Sequence, residues 1–222
     1  MNQKYGWMAI GLIGLTTACG GGFGGDGPTA NGKIVNWPAG KTGSLRVAVG
    51  SGNTAVNGGA VTVDASGNFS SLPFPGSAAV TTSLTPAGTV TCANGSVTVT
   101  PNTVKAGGAS LQILNGANAS AGNVVEANID PTTANNTPTV GTKLFVRLYA
   151  DSNATISGTC TSGGVTTTYD INLSTGWNVV SLEATAVTGN AATAIKYGTG
   201  LSGDAKFYYS AGANPLSLNL FK

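Results

Sequence analysis

Alternation of apolar and polar residues at every second position is the feature that most limits how this chain can fold. Short alternating runs, bounded by Gly, Asn, Asp and Pro, follow one another along most of the sequence, and this pattern is typical of β-strands. No long stretch has the apolar spacing of a helix. We therefore expect an all-β protein: an antiparallel β-sandwich, either one large sandwich or two tightly joined, Greek-key-like ones.

The alternation predicts strands over much of the chain, and two of its details are informative. The strand 143–149 has apolar residues on both faces, which indicates a central strand covered on each side. Segments 166–173 and 177–182, joined by Ser174-Thr175-Gly176, are predicted to pair as a hairpin. In chain order the predicted strands are 33–37, 44–49, 60–63, 68–71, 79–83, 90–92, 96–100, 110–115, 123–129, 143–149, 154–159, 165–173, 177–184, 194–197 and 206–209.

Composition divides the chain into three parts. We interpret residues 1–18 as a leader, residues 19–30 as a Gly-rich tether and residues 31–222 as the β-sandwich domain. Segment 131–141 contains two prolines and no alternation. We interpret it as a long connection within one continuous structure, and a domain subdivision near 131–141 is the alternative.

The leader indicates where the protein resides. Residues 7–15 are apolar but too short to span a bilayer, they follow Lys4, and small residues then lead to Cys19. This stretch resembles a bacterial lipoprotein signal, although Thr16 stands where such signals usually have Leu. The resemblance implies that Cys19 becomes the acylated first residue of an envelope protein, anchored by lipid to the outer membrane or cell surface. An ordinary cleaved signal peptide and a retained membrane helix are the alternatives.

The other two cysteines form an even pair once Cys19 is assigned to lipid. A disulfide between Cys92 and Cys160 is expected outside the cytoplasm, and two buried free thiols are the alternative. Such a disulfide would connect the two halves of the chain on either side of segment 131–141.

The charge pattern excludes nucleic acid as a partner. Only 8% of the residues are charged, the formal net charge is +2, and the lysines and arginines are scattered. A nucleic-acid surface needs a cluster of basic residues, commonly interleaved with aromatic ones. The expected surface is polar through hydroxyl and amide groups.

The absence of histidine excludes several chemistries. The chain contains no His, so Ser-His-Asp catalysis, Cys-His catalysis and His-ligated metals are unavailable. An envelope antioxidant protein of the copper superoxide dismutase type is therefore disfavoured, since such sites need imidazoles. We expect no cofactor and no metal site, and we favour a protein without enzymatic activity over an enzyme.

Two turns are candidate calcium sites. Residues 64–68 and 151–153 place oxygen atoms at alternate positions. Asx-turns explain both segments equally well, and neither has the later bidentate acid of an EF-hand loop.

Four aromatic residues are candidates for a contact surface. Trp37, Trp177, Tyr208 and Tyr209 lie near predicted strand ends or in a predicted strand, where they could present rings to a glycan or a partner. Packing in the core is the alternative. Because Tyr208 and Tyr209 are adjacent in a strand, they are expected to point to opposite faces.

Two resemblances concern the domain itself. A first strand at 32–37, followed by Val-Asp-Ala-Ser-Gly-Asn-Phe-Ser at 63–70, resembles the opening of transthyretin-like or carboxypeptidase-regulatory-like sandwich modules. In this motif Asp64 is expected to cap a tight turn, Gly67 to supply a positive φ, and Phe69 to return to the core.

The overall layout is similar to that of small cell-envelope lipoproteins of the Deinococcus type. The matching segments are 19–22, 32–37, 92–95 and 176–179. This resemblance implies residence in the cell envelope.

Taken as a sequence, the chain indicates a lipid-anchored structural or accessory protein that scaffolds or decorates a surface layer or an outer-membrane complex. An envelope protein or a second copy of the chain is the expected partner. A ligand- or glycan-binding β-sandwich module is the alternative, and the copper antioxidant protein is a further one.

Overall fold

A computed structural model describes residues 29–50, 56–80, 85–86, 92–133 and 137–211. Within these residues the chain forms fifteen β-strands and one four-residue α-helix, which confirms the predicted all-β class. The elements are β1 (Thr29–Lys33), β2 (Gly43–Val49), β3 (Val56–Asn57), β4 (Val61–Val63), β5 (Asn68–Pro73), α1 (Ser77–Val80), β6 (Thr85–Pro86), β7 (Asn94–Thr100), β8 (Lys105–Leu114), β9 (Ser120–Ala127), β10 (Lys143–Ala150), β11 (Ala154–Ser162), β12 (Val165–Leu173), β13 (Gly176–Thr188), β14 (Ala191–Thr199) and β15 (Lys206–Ser210).

Thirteen of these strands form one hydrogen-bonded sheet, and the remaining two form a small second sheet. The main path of the large sheet is β3-β2-β8-β9-β10-β13-β14-β12-β11-β7, with β15, β4 and β6 attached to β9, β2 and β8. The strands β12 and β14 run parallel, whereas neighbours such as β10 and β13 run antiparallel. The small sheet pairs β1 with β5.

The first core lies between the small sheet and the N-terminal strands of the large one. Leu45 and Val47 of β2 alternate inward and are fully buried, and Phe69 and Leu72 of β5 meet them from the small sheet. Ile113 of β8 packs into the same cluster. Burying each such side chain contributes about 1.5–3 kcal/mol, so this contact between the two sheets stabilises the sandwich.

The turn before β5 has the chemistry that the sequence predicts. The Asp64 carboxylate accepts hydrogen bonds from the backbone N–H groups of Ser66 (2.8 Å) and Asn68 (2.9 Å). Gly67 has φ +85°, and a Cβ there would lie 2.6 Å from the carbonyl oxygen of Ile34. Phe69 then returns to the core with 4% of its surface exposed. The turn therefore depends on a carboxylate cap and on the missing side chain of one glycine.

The strand β10 is central, as its apolar residues on both faces predict. One edge pairs with β13, and the other pairs with β9 near its start and with β8 near its end. Leu144 packs in one core with Leu182 and Tyr208, while Tyr149 on the opposite face packs against Trp177. The strand therefore separates two apolar layers.

Further apolar packing covers one face of the C-terminal strands. Leu182 and Ile195 meet Val125 and Tyr208 from β9 and β15. Farther along, Ile171 and Leu173 cluster with Val180 and with Val104, which lies between β7 and β8. In β12 the apolar residues Ile171 and Leu173 are buried and the residues Asp170 and Asn172 are exposed, as alternation predicts.

The disulfide between Cys92 and Cys160 is present, which confirms the predicted pairing. The two Cα atoms are 5.3 Å apart, and the bond joins residues 68 positions apart. Cys160 lies in β11 and Cys92 lies two residues before β7. The bond therefore holds β7 against β11 at the margin of the sheet.

The predicted hairpin between segments 166–173 and 177–182 is wrong. The strands β12 and β13 follow each other closely in sequence, but β14 lies between them in the sheet. β14 pairs antiparallel with β13 and parallel with β12, so that Tyr197 lies opposite Leu182 on one side and Tyr169 on the other. The rings of Tyr169 and Tyr197 stack with centroids 5.1 Å apart. Both edges of β13 are thus occupied by β10 and β14, which excludes a direct pairing with β12.

Two further local predictions differ from the structure. A strand was predicted at 79–83, whereas Ser77–Val80 forms a short helix, in which the N–H groups of Ala79 and Val80 donate to the carbonyl of Gly76. Residues 81–83 lie outside the described residues. The segment 184–194, which the sequence predicts as the connection between the strands 177–184 and 194–197, instead continues β13 and begins β14. Its Thr and Val residues fit a strand better than a helix.

Other predictions fall in the connecting segments. The first strand was predicted at 33–37 but lies at Thr29–Lys33, so it begins within the last two residues of the predicted tether 19–30. Apart from Cys92, the predicted strand 90–92 lies outside the described residues, and so do the leader, Cys19 and residues 19–28 of the predicted tether. The described residues of segment 131–141 contain no strand, and β9 and β10 on either side of it pair with each other.

Candidate functional site

A row of four charged side chains crosses neighbouring strands on one open face of the large sheet. Lys143 of β10 lies opposite Glu183 of β13, which in turn lies opposite Lys196 of β14. Lys143 and Glu183 form an ion pair at 3.3 Å, and Lys196 forms another with Asp170 of β12 at 3.0 Å. We name these four residues the charge ladder. Its signs alternate along the row, so it attracts neither a polyanion nor a polycation strongly.

A shallow depression of about 290 Å³ lies beside the charge ladder. Gly198 of β14 lies opposite Ser181 of β13 on one side and opposite Asp170 of β12 on the other. Because glycine has no side chain, the surface of the sheet is lower at this position. The depression is lined by Asp170, Asn172, Ser181, Glu183, Lys196, Gly198 and Thr199. Its wall therefore carries hydroxyl, amide, carboxylate and ammonium groups, which can donate and accept hydrogen bonds.

Hydrogen bonds hold the rim of the depression in place. The Thr199 hydroxyl accepts a hydrogen bond from the backbone N–H of Asn172 at 2.7 Å and donates to the Asn172 carbonyl at 3.1 Å. The hydroxyl of Ser181 donates to the Gly198 carbonyl at 3.4 Å. The side-chain amide of Asn172 has no partner among the described hydrogen bonds, and this residue is exposed. The rim is therefore ordered by backbone contacts, while an amide and two ion pairs face solvent.

Two of the four aromatic candidates meet at one end of the first core. Trp37 and Tyr209 make an edge-to-face contact with centroids 5.4 Å apart, and both are partly buried against that core. The indole N–H of Trp37 donates to the Lys41 carbonyl at 2.9 Å. The side chain of Asn36 joins the loop to β15, because it accepts from the N–H of Tyr209 (2.6 Å) and donates to the Tyr209 carbonyl (3.0 Å). This pair forms a partly exposed aromatic edge.

The other two aromatic candidates pack against interior side chains. Trp177 lies between Phe74 (4.9 Å between centroids) and Tyr149 (5.5 Å), and its indole N–H donates to the Pro75 carbonyl at 3.2 Å. Tyr208 is 5% exposed and packs in the core beneath β9 and β10. Tyr208 and Tyr209 point to opposite faces, as expected, and the four residues do not form one platform.

A buried ion pair lies between β9 and β10. The Arg147 guanidinium donates through Nη2 to Oε1 (3.0 Å) and Oε2 (2.8 Å) of Glu126, and through Nε to Oε2 (3.1 Å). The two side chains are only 15% and 5% exposed, and the guanidinium lies 5.9 Å from the ring centroid of Phe74. Burial raises the pKa of Glu126, and the charge of Arg147 opposes that rise. Because both side chains are buried and bonded to each other, we interpret the pair as a structural element.

In the two candidate calcium turns, the carboxylates accept hydrogen bonds from N–H groups. Both oxygens of Asp64 accept from the Asn68 side-chain amide, at 3.3 and 2.9 Å, and these bonds hold the pKa of Asp64 below its usual range. Asp151 accepts from the backbone N–H of Lys105 at 2.9 Å. The bond that Asp64 accepts from the N–H of Ser66, two residues on, is that of an Asx-type turn, whereas the Asp151 bond joins residues 46 positions apart and connects this turn to the start of β8. No group of three or more Cys, Asp or Glu side chains suited to a metal ion occurs in the part of the chain that the structure describes.

The charge ladder was missed by reasoning from the sequence. Each of its residues stands singly in a separate strand, and only the register of β10, β13, β14 and β12 places them in a row. The available signal was weak: Asp170 occupies an outward position of an alternating strand in a chain that has few charges.

Comparisons with protein-family models, with curated proteins and with solved structures find no match to this chain. Among the described residues, no helix combines the length and the apolar character that crossing a bilayer would require.

Proposed function

We propose that this protein is a lipid-anchored structural protein of the cell envelope, which scaffolds or decorates a larger assembly such as a surface layer or an outer-membrane complex. One observation carries the proposal: a single hydrogen-bonded sheet runs through both halves of the described chain. β2 and β8 from the first half connect through β9 and β10 to the C-terminal strands without a break. Because its strands are hydrogen-bonded throughout, the two ends of this sheet keep a fixed position relative to each other, which is what a scaffold requires.

The surface of this body suits contacts with other envelope components. The chain has ten basic and eight acidic residues in 222, and four of them are paired with each other in the charge ladder. A surface made mainly of hydroxyl and amide groups loses less hydration energy on contact than a charged one. The anchor at Cys19 and the Gly-rich tether that follows it, both inferred from the sequence, would hold this surface at the membrane.

Replacing Cys19 with Ser is expected to move the protein from the membrane fraction to the soluble fraction, because the serine hydroxyl cannot take the place of the thiol that carries the lipid. The measurement is fractionation of cells followed by quantification of the protein in each fraction. Thr17→Ser is the matched control, since it keeps both the cysteine and a small residue before it. A Cys19→Ser protein that remains in the membrane fraction would contradict the lipid anchor and support a retained membrane helix.

The scaffold itself is tested by isolating the native protein from membranes in mild detergent and analysing the eluate by mass spectrometry and metal analysis. A stoichiometric envelope protein or a second copy of the chain supports the proposal. A lone chain that carries near-stoichiometric copper contradicts it and favours the antioxidant alternative.

Binding of a polar ligand such as a glycan is the second candidate, and the depression beside the charge ladder favours it. Asn172 there presents an amide to solvent, next to the ion pair of Lys196 and Asp170. Asn172→Ala is expected to weaken saturable binding of envelope polysaccharide by about three- to tenfold, the loss from one or two hydrogen bonds. Titration calorimetry measures this, with Thr168→Ala as the control because Thr168 is exposed on the same strand but outside the depression. Equal binding by both variants would exclude this site.

A further inference from the structure

The strand β7 is a long edge of the large sheet. It lies at one end of the strand order, and in the described part of the chain β11 is its neighbour on one side only. All seven of its residues pair with β11 without a register shift. By contrast β3, β4 and β6, which also border the sheet, are two or three residues long. Among these margins, β7 presents the longest row of backbone groups.

β7 lacks the features with which proteins usually protect an edge from pairing. Its sequence, NGSVTVT, has no charged residue and no Pro, either of which would oppose an added strand. Its Val and Thr residues favour strand conformation. The disulfide between Cys92 and Cys160 also holds the beginning of the strand in the sheet. Within the part of the chain that the structure describes, this edge is therefore open on one side and fixed in position.

The sequence of β7 is complementary to itself when two copies run antiparallel. With Thr98 opposite Thr98 of the second copy, Val97 lies opposite Val99, and Ser96 lies opposite Thr100. In one chain Val97 and Val99 are half-buried, whereas Ser96, Thr98 and Thr100 are exposed. This register therefore places valine beside valine on the inner face and hydroxyl beside hydroxyl on the outer face, with no charges brought together.

We propose that β7 is a homodimerisation edge, through which two copies of this chain join their large sheets by antiparallel pairing centred on Thr98. The pairing is two-fold symmetric, so it closes after two copies and does not propagate into a fibre. It also covers the half-buried side chains of Val97 and Val99. The proposal rests on the scaffold function and specifies its partner as a second copy.

Cross-linking tests the position of the two-fold axis. Full-length Thr98→Cys protein, oxidised in isolated membranes, is expected to run as a dimer on a non-reducing gel. Ser157→Cys is the matched control: Ser157 lies opposite Thr98 on β11 and is exposed on the same face. Its copy in the dimer would be about 14 Å away, three strand spacings, which is too far for a disulfide. Absence of the Thr98→Cys dimer, or equal cross-linking of both variants, would overturn the proposal.

Charge substitutions test the interface in solution. Thr98→Lys places two like charges at the axis and is expected to weaken dimerisation by about tenfold or more, measured by sedimentation equilibrium in detergent. Mixing Thr98→Lys with Thr98→Glu chains is expected to restore the dimer, which shows that the variants are folded. A wild-type monomer, or a Thr98→Lys dimer of unchanged affinity, would refute the pairing.

Membrane association of the same samples separates the two proposals. Chains that are membrane-bound but monomeric contradict the dimer alone. Dimers that are found in the soluble fraction contradict the lipid anchor alone.

Discussion

Replacing Arg147 with Met is expected to lower the free energy of unfolding by about 3–5 kcal/mol at neutral pH. The guanidinium makes three hydrogen bonds to Glu126, whose side chain is 5% exposed. Met keeps most of the apolar stem of Arg147, so the variant removes mainly the charge. It leaves a buried carboxylate without its partner, and this is the costly situation for a buried ion pair.

The pH dependence of this loss follows from the pKa of Glu126. Burial raises that pKa in the folded protein, and Arg147 opposes the rise. When a carboxyl has a higher pKa in the folded state than in the unfolded state, the free energy of unfolding of the protein falls as pH rises through the interval between the two pKa values. Without Arg147 the folded-state pKa of Glu126 rises further, so this interval extends to higher pH. The loss of stability caused by Arg147→Met should therefore be small near pH 4, which is about the pKa of Glu126 in the unfolded chain, and largest at neutral pH.

Urea unfolding of wild type and Arg147→Met between acidic and neutral pH measures this effect. Lys196→Met is the matched control, because its ion pair with Asp170 has side chains that are 45% and 61% exposed and should cost less than about 1 kcal/mol. The double replacement Arg147→Met with Glu126→Gln should recover much of the loss. A loss that is identical at acidic and neutral pH would show that packing, and not the charge of Glu126, is responsible.

Removing the disulfide with Cys92→Ser and Cys160→Ser together is expected to cost on the order of 4 kcal/mol. The bond joins residues 68 positions apart, and in the chain-entropy model closing a long loop restricts the unfolded chain strongly. In the folded protein it also fixes the edge strand β7 to β11. The loss should therefore appear as lower global stability and as faster hydrogen exchange in β7 than in the central strand β10.

Denaturant unfolding with and without reducing agent measures this loss and supplies its control. Wild type should lose stability when it is reduced, whereas the double variant should not respond. If reductant shifted the midpoint of the double variant as well, the effect would arise from something other than this bond.

Local sequence was enough to predict much of the strand content and one turn. The period-two pattern assigned Leu144 and Tyr149 to opposite faces of a central strand, and the structure places them in separate apolar layers. Asp64 and Gly67 occupy the turn as predicted, because a side-chain cap and a positive φ depend only on nearby atoms. The pairing of Cys92 with Cys160 followed from there being three cysteines, one of them, Cys19, assigned to lipid directly after the leader.

The sequence alone thus determined the class of fold, the faces of the strands and the chemistry of the turn at Asp64 and Gly67. Which strands lie side by side was decided only in the tertiary structure: β14 lies between β12 and β13, and the charge ladder exists only because of that order. The physical reason is that side-chain alternation defines the two faces of a strand, whereas its neighbours are joined through backbone N–H and C=O groups. Nearly every residue carries these groups, so the choice of neighbour depends on packing across the whole sheet.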